Sequence, residues 1–367
     1  MDEFPVGLLV AILGFVLGGV FGATVQRTNF CTMGALSDIV FMEDWNRFRA
    51  WMLAIAVAII GSQVLYQTGQ VDLGKAIYLT VNFGWAGAIV GGLLFGFGMT
   101  MGGGCGNKTL VRFGAGNLKS LVVMLFIGIF AYMTLRGLTG LARVEFEGWT
   151  VIDLTAKGLK TQGIGDFLAA LTPLSLGVAR LSVAAVIAAG LLWFCFKSAE
   201  FRASKPNMVA GVIIGALVTA AWYVTGVIGN DEFEPVQLAS FTFVAPVGDS
   251  LQYLMTFTGS TINFGIAVVG GVITGAFIMA KMTGEFRIES FTDGTDMIRH
   301  IGGGAIMGIG GVMALGCTIG QGVTGMSTMA LGSLIALVSI LAGGIYGLKY
   351  LEHGSFGGAL QALFARS

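Results

Sequence analysis

Charged residues are scarce in this sequence: they occupy only 11% of its 367 positions, whereas 55% are apolar and the mean hydropathy is +0.84. A chain of this composition cannot cover itself with a normal wetted surface, so most of its exterior must face lipid. Acidic and basic residues balance at 20 each, which leaves no basic face for nucleic acid. We therefore expect an integral membrane protein that binds no nucleic acid.

Histidine and cysteine are also rare, with two and four copies, and no Cys-x-x-Cys pair occurs. These counts leave little from which to build a zinc site, a paired-cysteine redox centre or a disulfide framework. The 17 methionines could ligate Cu(I), but methionine commonly fills apolar helices, so copper transport is disfavoured. The sequence predicts no metal, no cofactor and no enzymatic activity.

Apolar runs long enough to cross about 30 Å of hydrocarbon are abundant. They lie at 6–23, 50–66, 84–101, 118–136, 181–196, 208–228, 262–280, 299–316 and 331–350. None of these runs contains Asp or Glu, which disfavours a carboxylate-driven proton antiporter. A further stretch, 236–257, is interrupted by Pro246 and Asp249 and is a candidate for an element that enters the membrane and returns. We predict an all-α membrane protein with about nine transmembrane helices.

Basic residues predict the orientation, because Lys and Arg accumulate in cytoplasmic loops. With the N-terminus outside, 14 of the 20 basic residues fall on the cytoplasmic side. The six on the outer side are Lys75, Arg136, Arg143, Lys157, Lys160 and Arg180. We therefore expect a multi-pass protein of the bacterial inner membrane with a periplasmic N-terminus and a cytoplasmic C-terminus.

Two glycine-rich segments resemble each other and predict an internal repeat. Seven of 15 positions are identical when 91–105 is laid over 303–317. The identical pairs are Gly91/Gly303, Gly92/Gly304, Gly96/Gly308, Gly98/Gly310, Met101/Met313, Gly104/Gly316 and Cys105/Cys317. In the predicted orientation the two copies run in opposite directions, as in many transporters. We interpret residues 1–367 as one transporter domain, with inverted halves at 1–140 and 205–355 and a connecting region at 141–204.

Three of the four cysteines share a setting. Cys31, Cys105 and Cys317 each lie at the end of a glycine-bearing span and precede a polar, non-helical stretch. Glycine-broken backbone at membrane depth must be buried in protein or line a wet cavity. Cys195 stands instead in the apolar run 191–196, where a buried thiol serves as a small apolar side chain. We predict that the first three cysteines line a substrate path and that Cys195 does not.

Glycine-rich loops and helix N-termini expose backbone N–H groups that can hold an anion without a permanent counter-charge. Neutral hydrogen-bonding side chains near the repeated cysteines would add to such a site. Lys108 either attracts the anion or anchors the membrane interface, and the sequence leaves both roles open. The predicted substrate-binding residues are Cys31, Cys105, Cys317, Gly104, Gly106, Asn107, Lys108, Gly316, Thr318 and Gln321.

The motifs Asn29-Phe-Cys31, Cys105-Gly-Asn107 and Gly316-Cys317-Thr-Ile-Gly-Gln-Gly322 resemble those of the YeeE/YedE family of sulfur-transport membrane proteins. The resemblance extends over nearly the whole chain. It implies an hourglass-like helical monomer with short re-entrant helices that takes up thiosulfate, with the three motif cysteines as its relay. It also implies a small cytoplasmic sulfur-carrier protein as a possible partner. Relatives linked with selenium metabolism leave a selenium species open as the substrate.

Thiosulfate import through non-covalent contacts with thiols is therefore our leading hypothesis. A membrane thiol oxidoreductase is the competing one, and it would need cysteines whose Cα atoms lie within about 7 Å of each other. A sensor or scaffold for sulfur enzymes is a third. Two features remain without an assigned role: the region 142–180, which is a lid or a connection, and the second-half counterpart of Cys31, which we expect near residues 287–290.

Overall fold

The computed structural model describes residues 5–232 and 234–364; residues 1–4, 233 and 365–367, which include both predicted termini, lie outside that description. Nine long helices dominate the described part of the chain. They are α1 (Val6–Thr28), α3 (Asn46–Gln67), α4 (Trp85–Met101), α6 (Leu118–Arg136), α9 (Leu176–Phe196), α11 (Lys205–Tyr223), α13 (Phe264–Met282), α14 (Gly294–Met313) and α15 (Leu331–His353). Their positions correspond to the nine predicted apolar runs.

Shorter elements connect these helices. They are α2 (Thr32–Met42), α5 (Gly106–Gly114), α7 (Leu138–Thr150), α8 (Ile164–Leu171), α10 (Ala199–Ala203), α12 (Val244–Met255), α16 (Phe356–Phe364) and the two-residue strands β1 (Asn82–Phe83) and β2 (Ile152–Asp153). The stretch 236–257 forms an extended segment followed by α12, which packs against α6 and α13. π-Helical turns extend α11 over Val224–Ile228 and occupy Gly320–Gly325.

Eight segments of the described chain are long and apolar enough to cross a membrane, so the all-α membrane fold is confirmed. They correspond to eight of the nine predicted runs. The ninth run is present as α14, which packs between α4 and α6 but is not among the eight. Its helix begins five residues earlier than the predicted run, at Gly294, and its first turns carry Asp296 and Arg299, which lower its hydropathy.

Helices α1 and α13 approach each other closely because glycines face the partner backbone. A Cβ atom on Gly18 would lie 2.4 Å from the carbonyl oxygen of Val268, and one on Gly271 would lie 2.1 Å from that of Phe15. One turn further along, a Cβ on Gly22 would lie 2.1 Å from the carbonyl oxygen of Val272, and one on Gly275 would lie 2.0 Å from that of Gly19. Each helix therefore presents the same surface to the other, which is the pattern of a two-fold contact.

The reciprocal contacts also fix a register between α1 and α13. Residue 18 corresponds to residue 271, a spacing of 253 positions (271 − 18). Helix α1 ends at Thr28 and α13 ends at Met282, so this register stops before Cys31 and before the counterpart predicted near residues 287–290.

Helices α4 and α14, which contain the repeated segments, make a second reciprocal contact. A Cβ on Gly91 would lie 2.7 Å from the carbonyl oxygen of Gly310, and one on Gly310 would lie 2.6 Å from that of Gly91. Gly98 and Gly303 exchange the same contacts at 2.9 and 2.8 Å. Because 91 meets 310 while 98 meets 303, the two helices run antiparallel. Around this pair, α4 packs on α15 as α14 packs on α6.

The connecting region folds against the segment that follows Cys317. Strand β2 pairs antiparallel with β1, and the backbone N–H of Ile164 donates to the carbonyl oxygen of Met329 at 2.9 Å. Arg180 at the start of α9 donates two hydrogen bonds, of 3.0 and 2.8 Å, to the buried carboxylate of Asp166. The region 142–180 is thus folded and packs against the end of the helix bundle that holds Met329.

Candidate functional site

The backbone makes the same turn before each of the three motif cysteines. A residue with positive φ stands two positions earlier in every case: Asn29 before Cys31 (φ 53°), Gly103 before Cys105 (φ 71°) and Leu315 before Cys317 (φ 56°). Left-handed residues end helices. Each cysteine therefore follows a helix that has just ended, as predicted. The prediction that a non-helical stretch comes after each cysteine is wrong, because a helix begins directly after Cys31, Cys105 and Cys317.

Each of these cysteines also begins a short helix. Cys31 and Cys105 are the N-cap residues of α2 and α5, and a helical segment containing the π-helical turns starts directly after Cys317. The sulfur of Cys31 accepts a hydrogen bond from the backbone N–H of Gly34 at 3.5 Å, and the sulfur of Cys317 accepts one from that of Gly320 at 3.4 Å. Helix N-termini favour negative charge, so each cysteine stands where an anion is stabilised.

The three cysteines are buried free thiols that form one series in space. The thiol of Cys31 is adjacent to that of Cys105. Thr318, the residue after Cys317, lies close to the thiol of Cys105 without a hydrogen bond to it. Cys195 lies apart from this series: it donates to the carbonyl oxygen of Arg49 at 3.2 Å, where α9 packs on α3.

Several buried polar atoms along the series have no hydrogen-bond partner among the described residues. They include the amide nitrogen Nδ2 of Asn107 and the hydroxyls of Thr318 and Thr32. The other end of the Asn107 amide, Oδ1, accepts from the thiol of Cys105 at 2.7 Å, which leaves Nδ2 as a free donor. Buried polar groups are normally paired, because an unsatisfied one costs about 1–3 kcal/mol. Unpaired donors close to the cysteines suit a ligand with several acceptor atoms.

Positive charge collects around Cys31 and Cys105. The ammonium group of Lys108 donates to Oδ1 of Asn29 at 2.9 Å, and the guanidinium of Arg112 donates to the carbonyl oxygen of Gly103 at 2.5 Å. Both cations are therefore attached to the turns that precede the two cysteines. This geometry favours the role of Lys108 in attracting an anion over that of a remote interface anchor.

The predicted site glycines have different roles. The backbone N–H of Gly104 donates to Met99, and that of Gly316 donates to Gly311, at 2.9 and 2.8 Å, so both N–H groups serve to close the preceding helix. Gly106 is the first residue of α5, where backbone N–H groups have no intrahelical acceptor. Of the three, only Gly106 is placed to offer its N–H to an anion.

Gln321 lies next to the series but faces away from Cys105. Its Nε2 donates to the carbonyl oxygen of Ala314, while its Oε1 has no partner among the described residues. A small cavity of about 20 Å³ is lined by Gln321 together with Tyr78, Gln162 and Ser333. The sequence predicted that Gln321 binds the substrate together with Asn107 and Thr318. In the structure its side chain contacts Ala314 and lines a separate cavity.

Sequence reasoning missed several residues at this site. Tyr78, from the loop between α3 and α4, is buried beside Cys317, and Thr242 contacts the Tyr78 side chain. Both come from segments without a motif, and only the folded chain brings them to the cysteine. Thr32 could have been found, because a threonine directly after Cys31 matches the threonine directly after Cys317.

Known proteins resemble this chain over most of its length. The profile of the sulphur-transport family matches residues 27–346. The thiosulfate transporter TsuA of Escherichia coli is 28% identical over 325 residues, covering 84% of this chain and 86% of that protein. TsuA of Spirochaeta thermophila is 27% identical over 323 residues, covering 85% and 90%. The probable transporter YedE of Escherichia coli is 30% identical over 102 residues, covering 27% and 23%.

The family match spans all three cysteine turns and helices α4 and α14. The two relatives that align along most of the chain are transporters, so the competing hypothesis of a membrane thiol oxidoreductase finds no support in these comparisons. The chain belongs to the sulphur-transport family of membrane proteins.

Proposed function

We propose that this chain imports thiosulfate across the bacterial inner membrane along a path lined by Cys317, Cys105 and Cys31. The observation that carries the proposal is the contact series in which Thr318 links the first of these cysteines to the adjacent thiols of the other two. The names of the two relatives that align along most of the chain support thiosulfate as the substrate.

The order of the cysteines along the path follows from the proposed orientation, with the N-terminus periplasmic and the C-terminus cytoplasmic. Cys317 is approached by Tyr78, which belongs to the loop between α3 and α4, and this loop is periplasmic in that orientation. Cys31 and Cys105 lie beside Lys108, on the cytoplasmic side. The anion would meet Cys317 first, pass Thr318 and Cys105, and leave past Cys31 and Lys108.

Neutral donors are suited to this task. Moving a bare dianion into hydrocarbon would cost tens of kcal/mol, so the path must replace its hydration shell. A thiol is a weak donor, and the unpaired donors of Asn107, Thr318 and Thr32 add further hydrogen bonds. Conduction needs sites that bind in succession without trapping the ion. A row of thiols and neutral donors meets both requirements.

An inverted repeat is part of the proposal. The reciprocal glycine contacts between α1 and α13 and between α4 and α14 support it, because each contact in one half has its counterpart in the other. The halves at 1–140 and 205–355 would then place one cysteine turn, that of Cys105 or of Cys317, on each side of the membrane midplane. The connecting region 141–204 stands outside this symmetry.

A cytoplasmic partner fits the inner end of the path. If a small sulfur-carrier protein accompanies this transporter, it would receive the anion where Lys108 and Arg112 meet the cytoplasm. Among the described residues, Lys108 and Arg112 form no salt bridge, so the charge of each is available to an anion.

Uptake of labelled thiosulfate tests the function directly. Cells that lack other thiosulfate importers should accumulate the label only when they express this chain, and unlabelled thiosulfate should compete while sulfate should not. Sulfate carries the same charge but lacks the terminal sulfur. If sulfate reduced uptake of the label as much as unlabelled thiosulfate does, selection by thiols would be contradicted. If a selenium compound reduced it more strongly than thiosulfate does, the selenium compound would be the preferred substrate.

A further inference from the structure

Tyr78 separates two cavities at the proposed periplasmic end of the path. Its side chain is only 4% exposed. It lines a cavity of about 210 Å³, which Ser240, Thr242 and Asn263 also border, and the smaller cavity of about 20 Å³ beside Gln321. Tyr78 lies in no sequence motif, yet its ring stands between the larger cavity and the turn of Cys317.

The hydroxyl of Tyr78 is aimed at that turn. It lies beside the side chain of Thr242 and interacts electrostatically with Cys317. A Cβ atom on Gly320 would lie 3.6 Å from the Tyr78 hydroxyl and 2.6 Å from the Thr242 hydroxyl. The absence of a side chain at Gly320 is therefore what allows both hydroxyls to approach the helix that begins after Cys317.

These hydroxyls can serve an anion as donors. Burial raises the pKa of Tyr78 above the ordinary phenol value, so its proton stays in place at neutral pH. Tyr78 and Thr242 together hold two donor protons, and a hydrogen bond between the two hydroxyls would use one of them. One O–H remains for a ligand in the larger cavity, where the amide nitrogen of Asn263 is a further donor. The Ser240 hydroxyl donates to the carbonyl oxygen of Val218 at 3.0 Å, and the carboxylate of Asp249, which also lines this cavity, accepts from the hydroxyl of Tyr132.

We propose that Tyr78 and Thr242 form an outer subsite that binds the sulfonate end of the substrate before the terminal sulfur reaches Cys317. This inference rests on the proposed thiosulfate import and adds the residues that select a tetrahedral sulfur oxyanion. Hydroxyls bind the hard oxygens of the anion, whereas the thiol of Cys317 contacts its soft sulfur. The subsite uses no cation, so it holds the anion without trapping it.

Single hydroxyl deletions test the subsite. In cells that accumulate labelled thiosulfate, Tyr78→Phe and Thr242→Val should each raise the KM for uptake about tenfold, the usual scale for losing a hydrogen bond to a charged group. The maximal rate per transporter in the membrane should stay within about twofold, because the path beyond Cys317 is unchanged. Thr242→Ser, which keeps the hydroxyl, should restore the wild-type KM.

Tyr346→Phe is the matched control, since the Tyr346 hydroxyl bonds only the backbone of Phe356 at the far end of α15. An unchanged KM in both Tyr78→Phe and Thr242→Val would overturn the subsite. So would a fall in maximal rate at constant KM, because that result indicates a structural role. Absence of thiosulfate uptake by the wild-type chain is a different outcome, and it would overturn the proposed function itself.

Discussion

The turns of Cys105 and Cys317 are built alike but differ in what surrounds them. Both follow a left-handed residue, and both begin a short helix. The third position after the cysteine is Lys108 in the first copy and Gly320 in the second. Where the first turn gains an ammonium group, the second gains room for two hydroxyls from elsewhere in the chain.

The same contrast recurs one turn further along. The seventh position after the cysteine is Arg112 in the first copy and Thr324 in the second. Arg112 is a cation whose guanidinium donates to the carbonyl oxygen of Gly103. The Thr324 hydroxyl is neutral and donates to the carbonyl oxygen of Phe241 at 2.7 Å. Two turns with the same backbone thus carry cations in one case and neutral hydroxyls in the other.

This difference gives the proposed path a direction. A neutral site can accept a dianion from water by exchanging hydrogen bonds, and it releases the dianion easily. A cationic site attracts the dianion over a longer range, within a Debye length of about 8 Å at physiological salt. Substrate would move from the turn of Cys317 toward Lys108 and Arg112.

Removing either repeated thiol should have the largest effect. Cys105→Ser and Cys317→Ser nearly preserve volume, so little cavity cost is expected, but a hydroxyl binds anions and water more firmly than a thiol does. We expect thiosulfate uptake to fall by about tenfold or more in each variant, because the substrate is either trapped or displaced by water. Uptake per transporter, with membrane expression checked for each variant, measures this.

Cys195→Ala is the control for that experiment. Cys195 is as buried as the repeated thiols but bonds only the carbonyl oxygen of Arg49. Its loss should leave uptake near the wild-type rate. Wild-type rates in both serine variants would show that the thiols are packing groups, and selectivity would then rest on backbone N–H groups and on Asn107.

Neutralising the inner cation should have a smaller effect. Lys108→Gln keeps a hydrogen-bond donor for Asn29 but removes the charge, so uptake should fall about fivefold and should depend less on ionic strength. Lys205→Gln, at the exposed start of α11, is the control. Equal loss in the two variants would mean that overall charge matters and that the position of Lys108 does not.

Paired glycines test whether the two halves are equivalent in packing although they differ in charge. A Cβ on Gly96 would lie 2.1 Å from the carbonyl oxygen of Ile340, and one on Gly308 would lie 2.6 Å from that of Ile127. Gly96→Ala and Gly308→Ala should each cost about 1–3 kcal/mol of stability, the range for overpacking. Thermal unfolding in detergent should therefore show similar decreases in the apparent Tm.

Gly190→Ala serves as the packing control, because nothing lies within 4 Å of a Cβ at Gly190 in α9. Its Tm should not fall. A large decrease for only one of the paired variants would break the equivalence of the halves and leave the internal repeat as a similarity of sequence alone.

The sequence predicted the helices well because membrane spans are long and locally encoded. The run 118–136 coincides with α6, and 331–350 lies within α15. Short helices were harder to predict. Most of α7 and all of α8 fall in the region 142–180, where charged and apolar residues alternate and no run is long enough to indicate a span. Local hydropathy carries no information on where such a segment docks.

At the candidate site, too, only locally encoded features could be predicted. Asn29 and Gly103 leave a local signature before Cys31 and Cys105, because Asn and Gly commonly adopt the left-handed backbone that ends a helix. Leu315, before Cys317, has the same backbone without that signature. Tyr78 and Thr242 leave none, since their role depends on contacts with residues more than 70 positions away. Motifs reveal the residues that shape their own backbone, whereas partners supplied by distant loops appear only in the folded chain.

The smallest effect should come from Gly104, which the sequence placed among the binding residues. Its N–H is occupied by Met99, and a Cβ would meet Lys108 at 3.5 Å, an ordinary contact, so Gly104→Ala should change uptake by less than about twofold. Gly103→Ala should be worse, because a left-handed φ costs a non-glycine residue about 1–2 kcal/mol. The repeat limits this penalty, since Leu315 already adopts φ 56° at the equivalent position. If Gly104→Ala abolishes thiosulfate uptake while Gly103→Ala does not, the turn binds the anion through Gly104 itself, and the helix-closing role assigned to its N–H is wrong.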